Sequence, residues 1–211
     1  MINNRLLLLI FLLGLIIRFL LIALPGFKID MNDWAAWATR LGHFDFNNFY
    51  SEDFFTDYTP GYLYILSLLG FLKTLLHLSD NTFYLLLKTP AIIADLLIST
   101  IVYKEVQKST SKKIALLAFF AIIFNPVIIF NSSIWGQIDS VLTLLLLITI
   151  IFLKKNKFVF SSIFFGLALI VKPQAVSVIP LVALFLIKHF RLSSFLKLFI
   201  PGFLTIFLLS Y

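Results

Sequence analysis

Leu6 to Pro25 reads LLLLIFLLGLIIRFLLIALP, an apolar run with one charge, Arg18, inside it. About 20 apolar residues in a helix cross the hydrocarbon core of a bilayer, and this run has that length. It follows one early basic residue, Arg5, but exceeds the core of a secretory signal and lacks a small-residue cleavage site. It reads as a retained first span. The whole chain agrees with that reading: of 211 residues 61% are hydrophobic and 13% charged, and the mean hydropathy is +1.03. A soluble domain has too much surface for its volume to hide so much apolar side chain. Hydrocarbon is the solvent, and the fold class is all-α, a polytopic transmembrane helical bundle.

The formal charge of +7 would suggest nucleic acid in a soluble protein. Here the lysines lie in short runs between apolar stretches, the pattern of cytoplasmic loops facing anionic lipid, so no nucleic-acid partner is expected. There are no cysteines, which excludes disulfides, thiolate metal sites and thiol catalysis. His43, His77 and His189 show no ligand spacing, so no zinc site is expected.

Further apolar segments lie at Pro60–Leu78, Phe83–Tyr103, Ile114–Phe130, Ser140–Leu153, Phe158–Val171, Ala175–Ile187 and Leu198–Tyr211. Several are shorter than a full crossing. Short helices interrupted by proline, as at Asn125-Pro126, Lys172-Pro173 and Pro180, are tolerated where protein covers them or they line a watery cavity. Phe199 to Tyr211 runs apolar to the last residue without a polar stop. Residues 1–211 are therefore expected to be the N-terminal part of a single, longer transmembrane module, with its first loop at 26–59.

Placing the basic stretches Lys104–Lys113, Lys154–Lys157 and Lys188–Lys197 in the cytoplasm puts Asn131–Asp139 and Lys172–Gln174 outside. A cytoplasmic N-terminus puts the loop from Gly26 to Pro60 outside as well. This loop holds six of the ten acidic residues, opposed only by Lys28 and Arg40. One conflict follows. An outer first loop and a cytoplasmic Lys104–Lys113 require an odd number of crossings, yet two apolar segments intervene. Either one of them is re-entrant or interfacial, or one basic stretch lies outside.

Within the first loop, Trp34, Trp37, Ala38 and Leu41 recur at helical spacing and form one apolar face. The expectation is an amphipathic helix from Met31 to Gly42 lying in the membrane interface, with Asp30 or Asn32 at its cap. Phe44 to Tyr58 then interleaves acids with aromatics, and Pro60 opens the next helix in its first turn. Asp30 has two readings: a helix cap, or a carboxylate at the membrane surface that takes a proton from a hydroxyl as general base. Asp57 is either a turn residue or a second acid at the same cavity. Asp33, Asp45, Glu52 and Asp53 read as solvated loop charges. Paired carboxylates can hold a divalent cation, but the loop gives no ligand count, so no cofactor is expected.

Arg18, Lys88, Asp95, Asp139 and Lys172 interrupt or border apolar runs, where an ionisable group faces either a cavity or a structural partner. Asp95 is read as structural, with Arg18 or Lys88 as partner. The planar fork of Arg18 equally suits a phosphate, as does the point charge of Lys172, which could otherwise snorkel. Asn131 to Asp139 is a polar turn in which Trp135 is either an interfacial anchor or part of a site.

The sequence Asp30 … Trp34-Ala35-Ala36-Trp37-Ala38 … Phe49-Tyr50 … Asp57-Tyr58-Thr59-Pro60-Gly61-Tyr62 resembles the first outer loop of the GT-C superfamily of integral membrane glycosyltransferases. The closer resemblance is to bacterial proteins related to the second mannosyltransferase of GPI-anchor synthesis. Lys88 to Asp95, Asn125-Pro126 with Trp135-Gly136-Gln137-Ile138-Asp139-Ser140, and Lys172-Pro173-Gln174 fit the same relatives in the same order. Many of those relatives have two prolines where this chain has Thr59-Pro60. The resemblance implies a polyprenyl-phosphate-linked sugar, mannose above all, as donor, and a glycan, lipid or protein hydroxyl as acceptor. It also implies inversion at the anomeric carbon and a bacterial plasma membrane with the active site on its outer face. It makes Asp30 the base or acceptor-positioning acid, and Asp57, Trp135, Gln137, Asp139, Lys172 and Gln174 the lining of the donor or phosphate site. Two other functions compete: a transporter or lipid flippase with Arg18, Asp95 and Lys172 along its pathway, and a non-catalytic membrane subunit. Polar, aromatic motifs gathered on one face favour the transferase.

Overall fold

The computed structural model describes residues 4–46, 49–51, 55–188 and 192–210. Glu52, Asp53 and His189 lie outside the described residues. Every regular element among those described is helical. They are α1 (Asn4–Leu21), α2 (Lys28–Leu41), α3 (Pro60–Leu75), α4 (Asp80–Gln107), α5 (Lys112–Ile123) and α6 (Pro126–Ile129). A π-helical turn, Phe130–Trp135, comes next, followed by α7 (Asp139–Lys154) and α8 (Phe158–Val171). A 3-10 turn, Pro173–Val178, leads into α9 (Ile179–Lys188), and α10 (Leu192–Leu209) follows.

Local chemistry sets most of these boundaries. Ser79 and Ser111 cap α4 and α5 by accepting from Thr82 N and Ile114 N. Asn125 caps α6, its Oδ1 accepting from Val127 N at 2.9 Å, and Pro126 takes the first helical position, where no N–H is needed. This cap divides the predicted segment Ile114–Phe130 in two, and α5 meets the stretch from Pro126 to Trp135 at a bend of 40°. Pro173 forces Lys172 into extended backbone, φ −152° and ψ 127°, and ends α8 at Val171. Pro60 opens α3 as the sequence suggested.

α4, with 28 residues, and α10, with 18, are long and apolar enough to cross a membrane, and the bent pair from Lys112 to Trp135 makes a third span if taken as one. α3, α8 and the stretch Pro173–Phe185 are apolar but shorter. α1 presents Leu8 and Phe19 outward at 57% and 76% exposure, as a lipid-facing helix does. The chain is thus an all-α membrane bundle, in keeping with its composition. Two helices reach into the basic stretches beside them. α4 runs on to Gln107 and α10 begins at Leu192, so part of each flanking basic stretch is helical.

The chain divides into two compact units, each discontinuous in sequence: Met1–Ala36 with Leu72–Leu144, and Trp37–Phe71 with Leu145–Tyr211. In the first, α4 and α5 pack through Tyr103, Ala115, Phe119 and Ile123, with Leu7, Ile10 and Phe11 of α1 against them. α1 comes so close to α5 that a Cβ on Gly14 would lie 2.5 Å from Ile123 Cγ1.

In the second unit, α8 and α10 cross at small residues. Gly202 N donates to Ser162 Oγ at 2.6 Å, and a Cβ on Gly166 would lie 2.8 Å from Gly202 O. Close backbone approach through small residues is how helices associate where lipid supplies no hydrophobic drive. α3 uses the same device against the end of α2. Ser67 Oγ donates to Leu41 O at 2.8 Å, and a Cβ on Gly70 would fall 1.8 Å from Ala38 O.

The amphipathic helix expected in the first loop is α2, begun three positions earlier, at Lys28 instead of Met31. Its apolar face is covered by protein: Trp34, Trp37, Ala38 and Leu41 are all buried. The tryptophans expected to meet lipid meet side chains and backbone instead.

Candidate active site

Asp30 is in the first turn of α2, inside the helix and not at its cap. Its carboxylate is engaged from far along the chain. Trp135 Nε1 donates to Oδ2 at 3.0 Å, and Gln137 Nε2 donates to the same oxygen. Each such bond to a charged acceptor contributes about 1.5–3 kcal/mol. No hydrogen bond reaches Oδ1 from the described residues. The carboxylate, half-buried, is therefore oriented through one oxygen while the other keeps its lone pairs.

The donors come from an irregular stretch. The π-helical turn ends at Trp135, and Gly136 follows in left-handed backbone, φ 93°. Gly136 N and Gln137 N both donate to Asn131 O, at 3.0 and 2.9 Å. A side chain at Gly136 would be strained by φ and would also meet Met31 Sδ at 2.7 Å and Lys88 Cγ at 3.2 Å. π-helical turns recur at functional sites because they displace side chains from the regular helical register. Asp139 closes the stretch, accepting from Asn131 Nδ2 at 3.2 Å.

Asp30 is also steadied from behind. Lys88, 2% exposed, donates through Nζ to Ile22 O at 3.0 Å and Leu24 O at 2.6 Å, satisfying carbonyls just past the end of α1. Phe27 N donates to Trp135 O at 3.4 Å, and the Phe27 and Trp135 rings meet at 5.5 Å. Tyr84 Oη donates to Asn32 Oδ1 at 2.8 Å. The link between α1 and α2 is thus held at both ends.

Arg18 and Asp95, candidates for a phosphate clamp or a transport pathway, form a closed pair. Both are 0% exposed, and Arg18 Nε lies 3.2 Å from Asp95 Oδ2. Arg18 Nη1 donates further to Ile123 O at 2.8 Å and Gly14 O at 3.2 Å. Ser132 Oγ donates to Asp95 Oδ2 at 2.6 Å and Ser140 Oγ to Oδ1. With its side chain sealed and its fork turned to backbone and carboxylate, Arg18 has the arrangement of the structural partner that the sequence reading offered for Asp95. Lys88 is not that partner.

In the second unit, Asp57 and Gln174 are exposed, and Lys172 Nζ sits 5.8 Å from the centroid of the Tyr58 ring, within cation–π range. Trp37 stacks at 5.3 Å on Tyr58 and donates through Nε1 to Phe55 O at 2.9 Å. Tyr50 Oη donates to Tyr58 O at 3.0 Å. Burial, helped by the Tyr64 phenol, pushes the Tyr50 hydroxyl up to about 12, so it stays a donor. α3 starts hard against α8, since a Cβ on Gly61 would lie 2.6 Å from Ile170 C. The Asp57–Gly61 turn and the Lys172–Gln174 turn therefore belong to one neighbourhood. A cavity of about 290 Å³ in this unit is lined by apolar side chains, among them Phe165, Leu169, Val182, Leu198 and Phe203.

The motifs singled out in the sequence thus fall into two groups, Asp30 with Trp135, Gln137 and Asp139 in one unit, and Asp57 with Lys172 and Gln174 in the other. The sequence reading included Ser132, Gly136 and Ser140 in its polar turn and motif but gave none of them a role of its own. Among the described residues no group of three or more His, Cys, Asp or Glu comes together as a metal site.

The model of one family, dolichyl-phosphate-mannose-protein mannosyltransferase, matches residues 59–211. No curated protein and no solved structure matches the chain. The matched stretch contains Trp135, Gln137, Asp139, Lys172 and Gln174; Asp30 and Asp57 precede it. Since the match covers well over half of the chain, this membrane protein belongs to the dolichyl-phosphate-mannose-protein mannosyltransferase family of glycosyltransferases.

Proposed function

We propose that the protein transfers mannose from a polyprenyl-phosphate-linked donor to an acceptor hydroxyl at the outer membrane face, with Asp30 as general base. The observation that carries the reading is the Asp30 carboxylate, fixed through Oδ2 by Trp135 and Gln137 with Oδ1 left to accept a proton. In the reaction the acceptor oxygen attacks the anomeric carbon from the side opposite the phosphate. The carbon–phosphate oxygen bond breaks, the polyprenyl phosphate leaves with the electron pair, and Oδ1 takes the hydroxyl proton. A single displacement inverts the anomeric centre. A cation would stabilise the charge that develops on the departing phosphate. A lipid-borne donor also suits an enzyme whose second unit carries an apolar cavity.

The outer-face placement requires that one segment between the first loop and Lys104 does not cross. We assign that part to α3. At 16 residues it is about 24 Å long, short of the ~30 Å core. It is also packed along α2 through Ser67 and Gly70, and α2 is itself a loop helix. With α3 lying at the outer face, α4 crosses inward and all three basic stretches become cytoplasmic. Cysteines placed at Ser51, Leu76 and Ser111 check this with an impermeant label. Ser51→Cys and Leu76→Cys should react from outside and Ser111→Cys only from inside. Labelling of Leu76→Cys from inside alone would make α3 a span.

The activity is checked by incubating membranes that hold the protein with labelled polyprenyl-phosphate mannose or glucose. The expected result is donor loss matched by a mannosylated product. Movement of intact donor across the membrane without a covalent product would replace transfer by transport.

A further inference from the structure

Asp95 takes no part in the chemistry above, yet its carboxylate accepts from three side chains, Arg18, Ser132 and Ser140. A fold-holding ion pair needs only its contact with Arg18, at 3.2 Å. Here the remaining acceptor capacity goes to two hydroxyls, Ser132 on Oδ2 and Ser140 on Oδ1. Ser132 precedes Trp135 and Ser140 follows Gln137 by the same interval. One carboxylate therefore spans the base of the loop whose tip holds Asp30.

That loop needs an external tie. It leaves a π-helical turn and passes through a left-handed glycine, so no regular backbone ladder fixes its width. The tie is itself anchored. Arg18, which bonds Asp95, also bonds Gly14 O of α1 and Ile123 O at the end of α5. All four side chains, Arg18, Asp95, Ser132 and Ser140, are buried, where polar groups in a low-dielectric interior hold their geometry most strictly.

We infer that Asp95 is a positioning residue for transfer: through Ser132 and Ser140 it sets the span of the Trp135–Gln137 loop and with it the orientation of the Asp30 carboxylate. The inference rests on Asp30 being the base. The chain of contacts runs Asp95 to Ser132 and Ser140, along the backbone to Trp135 Nε1 and Gln137 Nε2, and from these to Asp30 Oδ2. A reacting geometry displaced by as little as an ångström loses up to 10²-fold in rate, which gives the tie its value.

Asp95→Asn leaves the buried Arg18 charge uncompensated and is expected to fold poorly, so the serines carry the test. Ser132→Ala and Ser140→Ala each remove one arm without exposing a charge. In mannosyl transfer by membranes holding the whole protein, each should lower kcat roughly tenfold and leave the donor KM within about twofold. The protein should remain folded, its melting temperature lowered by no more than the loss of one hydrogen bond to a buried carboxylate accounts for, and Ser140→Thr, which returns a hydroxyl, should recover most of the rate. In a Trp135→Phe, Gln137→Ala background the loop no longer holds Asp30, and adding Ser140→Ala should cost nothing further. Unchanged kcat in both alanine variants overturns the inference, as does a loss confined to KM or one that multiplies in full in that background. Asp30→Asn separates this from the functional reading. Full transfer by that variant removes the base; an inactive Asp30→Asn with unaffected serine variants removes only the positioning role.

Discussion

The surroundings of Asp30 and Asp95 show two ways in which one unit of this protein treats a carboxylate. Asp95 lies within α4 with both oxygens engaged, an arginine beside it and no exposure. Asp30 is half-buried in the first turn of a loop helix, bonded through one oxygen by two neutral donors, with no cation on it among the described residues. The difference is what supports the roles proposed for them. A saturated, neutralised acid has nowhere to put a proton and serves geometry. An acid oriented through one oxygen is ready to accept one, and neutral donors keep it in place without the strong pairing that a cation would impose.

The contrast can be broken at its buried end first. Losing either partner of a sealed ion pair costs about 3–5 kcal/mol, because a bare charge stays behind. Asp95→Asn and Arg18→Met should each lower yield and melting temperature accordingly, measured on detergent-solubilised protein. Apolar replacement of both partners is often neutral for stability. Arg18→Met with Asp95→Leu should therefore recover the melting temperature, yet leave kcat depressed, since no carboxylate then spans the loop. Full recovery of both would reduce Asp95 to a fold element.

A smaller effect is expected at Gly136. Forcing a side chain into its left-handed backbone costs about 1–3 kcal/mol, and the new Cβ would press on Met31 Sδ. Gly136→Ala should lose that much stability in thermal melts, and should lower kcat because Trp135 and Gln137 shift together. The mildest change lies in the second unit. Lys172→Met removes a cation 5.8 Å from the Tyr58 ring, a contact contributing about 0.5–1 kcal/mol. Lys172→Met should lower the melting temperature of detergent-solubilised protein by no more than the loss of that contact accounts for.

Much of this organisation was legible in the sequence, and the parts that were not have physical reasons. The spacing of Trp34, Trp37, Ala38 and Leu41 fixed the buried face of α2, because periodicity reports which side is covered. It did not report by what, and protein took the place of lipid. Pro60, Asn125-Pro126 and Pro173 marked helix ends because their chemistry is local. The partners of Asp30 lie more than a hundred residues away, and no local pattern connects them. The charge of Asp95 within an apolar run announced that a partner existed and left Arg18 and Lys88 open. Distance selected Arg18, while Lys88 turned to the carbonyls after α1. Ser132 and Ser140 stood in the quoted turn and motif without a role of their own, since a serine beside an apolar run bonds its own backbone by default. The crossing conflict at residues 60–103 reflected a limit of composition. α3 is as apolar as a span, and the proposed topology sets it apart only by its length and its packing on α2.

The central claim is that the oriented carboxylate, Asp30, does the chemistry. Its most direct test is mannosyl transfer by Asp30→Asn, an isosteric change that keeps an oxygen for Trp135 or Gln137 and removes the base. Removing a general base costs roughly 10²–10⁴-fold in rate. The account requires a kcat lower by that factor, with the donor KM and the amount of folded protein in the membrane unchanged. Transfer at the unaltered rate by Asp30→Asn would contradict it.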